Sequence, residues 1–80
     1  MAVHDDLLTA ASQQLNSPET PYVLETHLRL TEEGIDAEEA LQMIAHCLAD
    51  ELDALQSEGR EFSVTRYQTL LSLLPTLPES

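Results

Sequence analysis

Residues 35–59, IDAEEALQMIAHCLADELDALQSEG, form the only stretch of this chain long and periodic enough to supply one wall of a core, and the rest must fit around it. At about 100° per residue, with Ile44 as reference, Ala37, Ala40, Leu41, Cys47, Leu48, Leu52, Ala54 and Leu55 fall within about 80° on either side. That is a wide apolar face. Asp36 suits an N-cap with Glu39 three residues on, and Gly59 can adopt the left-handed conformation that ends a helix. The spacing predicts a helix over residues 36–57.

Three shorter helices account for the remainder. Val3, Leu7, Leu8, Ala11 and Leu15 recur at helical spacing and predict a helix over 3–16, stopped by Asn16, Ser17 and Pro18. Thr20 as cap and Pro21 at the first helical position open a second helix over 21–33, closed by Gly34. Its columns Leu24, Leu28, Thr31 and Val23, His27, Leu30 are expected to face the core together, leaving Glu25, Arg29, Glu32 and Glu33 in water. Ser63 caps a fourth helix over 63–74, with Phe62 and Tyr67 placed as a hydrophobic staple. Pro75 ends it, and in the tail 75–80 only Leu77 is suited to dock. With three aromatics in eighty residues, the core must be aliphatic. Short links between four amphipathic helices imply one compact all-α domain over 1–80. An irregular or orthogonal array is expected rather than an up-down bundle, because the third helix would overhang its shorter neighbours.

Charge narrows the partners. Fifteen Asp and Glu face three Arg and no Lys, a net charge of −12, which repels nucleic-acid phosphates and anionic membrane surfaces and favours a basic protein partner or a metal cation. The single Cys47 cannot form an internal disulfide, the N-terminus has neither a basic n-region nor an unbroken apolar h-region, and no apolar run approaches the ~18 residues of a membrane span. The chain reads as cytoplasmic.

Candidate chemistry is sparse. His27 falls in an apolar sector and is expected to be a core histidine bonded to a carbonyl or carboxylate. His46 lies on the polar side of the third helix with Glu39, Asp50 and Asp53, and its four-residue offset from Asp50 suits two ligands of one metal ion but supplies no third. His4, beside Asp5 and Asp6, is weaker still. Cys47, mid-helix among acids, is expected to stay protonated. Glu51 is the one acid that breaks its pattern, about 20° from Ile44 inside the apolar stripe, and needs a cationic partner from Arg29, Arg60 or Arg66. Arg66 stands closest to an apolar sector, so an ion pair joining the third and fourth helices is expected. No Ser-His-Asp order, Gly-rich phosphate loop, His-Glu-x-x-His or Cys-x-x-Cys occurs. No catalytic residue, metal or cofactor is therefore assigned.

Two family comparisons bear on the chain. Acyl carrier proteins are similarly small, acidic and four-helical, but they attach their prosthetic group to a serine in an Asp-Ser-Leu context that none of Ser12, Ser17, Ser57, Ser63, Ser72 and Ser80 has, which excludes that reading. The stretch GIDAEEALQMIA, residues 34–45, resembles a family of uncharacterised bacterial proteins with the pattern Gly-x-x-x-His-Glu-Ala-x-His. Gly34, Glu39 and Ala40 match, Glu38 and Gln42 stand at the histidine positions, and the resemblance implies no known activity.

The favoured reading is a non-enzymatic interaction module; the alternative is a metal-dependent or other catalytic domain using His27 or His46 with nearby carboxylates such as Asp50 or Glu51. The fourth helix raises the question of self-association. Its apolar sector, with Leu70, Leu71, Leu73 and Leu74, covers nearly half its circumference, more than one core contact requires. Either a two-fold homodimer buries these leucines or the helix is covered on two sides within one chain. From the charge alone, no retention on duplex DNA is expected at micromolar concentration and physiological ionic strength; a gel-shift titration checks it.

Overall fold

The computed structural model describes residues 5–78; Val3, His4, Glu79 and Ser80 lie outside the described residues. Four helices follow one another: α1 (Asp5–Leu15), α2 (Pro21–Glu32), α3 (Ala37–Glu58) and α4 (Val64–Leu73), with no strand among the described residues. The domain is all-α, as the periodicity predicts.

The helix ends are set by the residues that punctuate them. Asp36 accepts a hydrogen bond from the Glu38 amide at 3.2 Å and starts α3. Gly59, at φ 63°, ends it, and the Arg60 amide returns to the Leu55 carbonyl at 3.1 Å. Gly34, at φ 97°, closes α2 in the same way, with the Ile35 amide on the Leu30 carbonyl. Ser63 accepts from the Arg66 amide at 3.1 Å, while Phe62 and Tyr67 meet edge to face at 5.5 Å, completing the staple at the start of α4. Thr20 departs from expectation. It precedes α2, but its hydroxyl donates to the Gln14 carbonyl at 2.9 Å and so fastens the end of α1 instead of capping α2.

The long helix is the centre of the array. α3 packs against α1, α2 and α4, and α2 also touches α1 and α4. Its buried residues are Ala40, Ile44, Ala45, Cys47, Leu48 and Glu51, and they meet Ala11, Val23, Leu30, Tyr67, Leu71 and Leu74 from the surrounding elements. Ala45 lies outside the stripe expected around Ile44; having helices on several sides widens the buried sector. Tyr67 is fully buried and donates its hydroxyl to the Gln14 side chain at 2.7 Å, so its polar end is satisfied.

The expectation for α2 is corrected. On α2 only one apolar column turns inward: Val23, Thr26 and Leu30 are buried, whereas Leu24 is 44 % and Leu28 51 % exposed. Burial of Thr26 is tolerated because its hydroxyl donates to the Tyr22 carbonyl at 2.7 Å. Arg29, expected in water, reaches across to α4 and donates to the carbonyls of Leu71 at 3.0 Å and Leu74 at 2.9 Å. The Leu71 carbonyl also accepts from the Leu74 amide at 3.2 Å, whereas the Leu74 carbonyl lies beyond the last helical turn, and a cation there also meets the negative end of the helix dipole. With Arg29 turned towards α4, Leu24 and Leu28 stand on the outer side of α2.

The four leucines considered for a homodimer face divide between inside and outside. Leu71 and Leu74 belong to the core, Leu70 packs partly against it, and only Leu73, 57 % exposed, points out. The wide sector of α4 is used within the chain, by α3 on one side and α2 on another. Leu77 of the tail packs against the same core.

Truncating the centre should be costly where the outer face is tolerant. Ile44→Ala is expected to lower the unfolding free energy by about 2–5 kcal/mol, whereas Leu24→Ala should stay within about 0.5 kcal/mol; urea melts of the two variants test the difference.

Candidate functional site

The densest polar constellation surrounds Glu51, whose position on the inner face of α3 puts its carboxylate where the chain turns from α3 into α4. Arg60, in that link, donates to both carboxylate oxygens at 2.7 and 3.0 Å. The Ser63 amide donates to one of them at 2.7 Å, and Arg66 in the first turn of α4 donates to the other at 2.9 Å. Arg66 also holds Asp50 at 2.7 Å, and Arg60 holds Glu58 at 2.7 Å. Two guanidinium groups thus share one fully buried carboxylate, so the expected Arg66 pairing is present with Arg60 added to it.

Its chemistry follows from that geometry. The Arg60 hydrogen bonds hold the Glu51 carboxyl down at about 2 against the opposing effect of burial, with the Ser63 amide and Arg66 acting in the same direction. The same contacts push both guanidinium groups further up. A carboxylate so held is a fixed anion at neutral pH. Both of its oxygens are occupied by donors from the link and from α4, so the constellation joins these elements to α3.

The histidines are engaged elsewhere. His27 Nε2 lies 3.0 Å from the Ala37 carbonyl; the carbonyl can only accept, so this nitrogen carries the proton and links α2 to the first residue of α3. His46 Nε2 lies 3.4 Å from the Pro78 carbonyl, where the tail passes over the side of α3 expected to be solvated. Asp50, the companion suggested by spacing, is bound to Arg66. The structure therefore does not bring His46 and Asp50 onto a common ligand, and among the described residues no group of three or more His, Cys, Asp or Glu could hold a metal ion. Cys47 is buried, and burial, helped by the nearby Asp50 charge, pushes its thiol up to about 12, far from the range of a nucleophilic thiolate.

Two features were not read from the sequence. One is a cleft of about 320 Å³ between α2 and α4, lined by Tyr22, Glu25, Thr26, Arg29, Gln68, Leu71 and Ser72. Its charged floor, Arg29, is already committed to Glu33 and the α4 carbonyls. The other is the outward pair Leu24 and Leu28, beside Glu25 and Glu32. Burial of Thr26 is the observation that links both, since turning this residue inward sets Tyr22 and Arg29 towards α4 and the leucines towards solvent, with exposed Glu25 between the cleft and the leucines. The stretch 34–45 likewise has a local account: Gly34 supplies the positive φ after α2, Glu39 lies in the first turn of α3 and Ala40 is fully buried. No helix of the described residues is long and apolar enough to cross a membrane. Comparison with models of protein families, with curated proteins and with solved structures finds no match to this chain.

Removing the Glu51 charge should unfasten the start of α4. Because the two arginines are partly exposed, Glu51→Gln is expected at the lower end of the range for breaking a buried pair, about 3 kcal/mol. The folded carboxyl sits near 2 against an ordinary 4.5, so its contribution to stability is complete above pH 4.5 and is lost as pH falls from there towards 2. Melts of wild type and Glu51→Gln over that window should converge. Cys47 acts at the other extreme: its neutral thiol favours the fold below pH 9.0, and that contribution declines as pH rises from there towards 12.

Proposed function

We propose that this chain is a small acidic protein-interaction module of the cytoplasm that binds a basic surface of another protein and performs no reaction of its own. The observation that carries the reading is the fate of its cations. Arg29 lies on the end of α4 and on Glu33, Arg60 on Glu51 and Glu58, and Arg66 on Glu51 and Asp50. With no Lys in the chain, every basic side chain other than histidine is turned to internal use. The outer surface is left to carboxylates such as Glu19, Glu25, Glu32, Glu38, Glu39, Asp53 and Glu61, all exposed. Such a surface attracts cationic partners from a distance and repels copies of itself, nucleic acid and anionic lipid. The buried free thiol of Cys47 suits a reducing compartment. The histidine-based alternative has less support, since each described histidine already meets a backbone carbonyl.

Affinity capture on the immobilised chain, with mass-spectrometric identification and elution by a salt gradient, tests this. The expected result is a basic partner released as added salt shortens the screening length from about 8 Å at physiological strength towards about 3 Å at 1 M. Partners of acidic or neutral character held regardless of salt, or a metal-dependent activity lost in His46→Ala, would count against it.

A further inference from the structure

We infer that the outward face of α2, built on Leu24 and Leu28 with Glu25 and Glu32 beside them, docks an amphipathic basic helix of the partner protein; the inference rests on the interaction-module reading and names its surface. The two leucines are one turn apart on the same row of the helix, and both are about half exposed. They differ from the other outward hydrophobics. Phe62 rests on Tyr67, while Val64 and Leu73 stand at opposite ends of α4. Among the described residues, only Leu24 and Leu28 of these exposed large hydrophobics make a continuous ridge on one element. They are also outside while Thr26, a polar residue of the same helix, is inside.

Charge selects what covers the ridge. Glu25 is three residues before Leu28 and Glu32 four after it, so both share its side of the helix, and neither has an ion-pair partner among the described residues. Glu33, one position further, is the residue that Arg29 takes. A second copy of this chain would bring the same leucines together with the same carboxylates and another net charge of −12, setting like charges face to face. A helix with leucine-type residues every three or four positions and Lys or Arg on the flanks would satisfy the ridge and the carboxylates at once. α2 has twelve residues and is about 18 Å long, which accommodates about three turns of such a helix.

The test uses a synthetic Leu/Lys peptide whose leucines fall on one helical face, a shuffled peptide of the same composition without that face, and a Leu/Glu peptide with the face kept. Titration of the isotopically labelled full chain by two-dimensional NMR should place the largest amide shifts on α2 around Leu24 and Leu28. Leu24→Ser/Leu28→Ser should weaken the Leu/Lys peptide by about tenfold or more, and Glu25→Gln/Glu32→Gln should weaken it severalfold and flatten its salt dependence; Leu28→Glu serves if the double leucine variant does not fold. Equal binding of the shuffled peptide, shifts centred elsewhere, or unchanged affinity in the leucine variants would overturn the docking face and leave the acidic-module reading standing. Failure of both Lys peptides to bind, or tighter binding of the Leu/Glu peptide, would overturn both.

Discussion

The fold depends on one buried anion. Glu51 sits among leucines on the central helix, where an isolated carboxylate would be prohibitively expensive, and the chain answers by winding its next fifteen residues around it. The link donates Arg60, the cap position donates the Ser63 amide, and the first turn of α4 donates Arg66. The direction in which α4 leaves α3 is therefore fixed by hydrogen-bond geometry as well as by apolar contact. An apolar residue at position 51 could fill the space, but it would leave Arg60 and the Ser63 amide to find other partners.

The other end of α4 is held by the same chemistry in a different form. Arg29 supplies a cation to the last carbonyls of α4, across 45 residues of chain at Leu74. α4 has only ten residues, too short to persist on propensity alone. It is pinned at its start to α3 through Glu51 and at its end to α2 through Arg29, with Tyr67 and Leu71 packed between. Three arginines in an acidic chain are thus structural fasteners, and the excess negative charge is the surface that remains once they have been used.

Local features were legible because they are written in local residues. Asp36, Gly34, Gly59 and Ser63 mark helix ends through their own backbone or side-chain chemistry, and the staple of Phe62 with Tyr67 spans only six residues. The demand of Glu51 for a cation was legible for the same reason: its angle on α3 places it inside a stripe seen in the sequence. What was hidden depended on distant groups. Both apolar columns of α2 are acceptable to a core, and the orientation found is the one in which Arg29 reaches the end of α4. The burial of Leu71 and Leu74 beside an outward Leu73 required knowing that α4 lies against two helices. Function was less legible than fold, since no residue pattern here demands a particular reaction and a docking face is visible only once the helices have been placed.

The inward use of the arginines has a consequence for how the molecule opens. A protease that cuts only after basic residues has three places to act, after Arg29, Arg60 and Arg66, and each is held by contacts that fasten α4. Cleavage must wait for the side chain to leave its clamp and the local backbone to unfold. Tryptic digestion of this chain therefore reads out the opening of its polar fasteners: a cut after Arg29 signals release of the end of α4, and a cut after Arg60 or Arg66 signals release of its beginning.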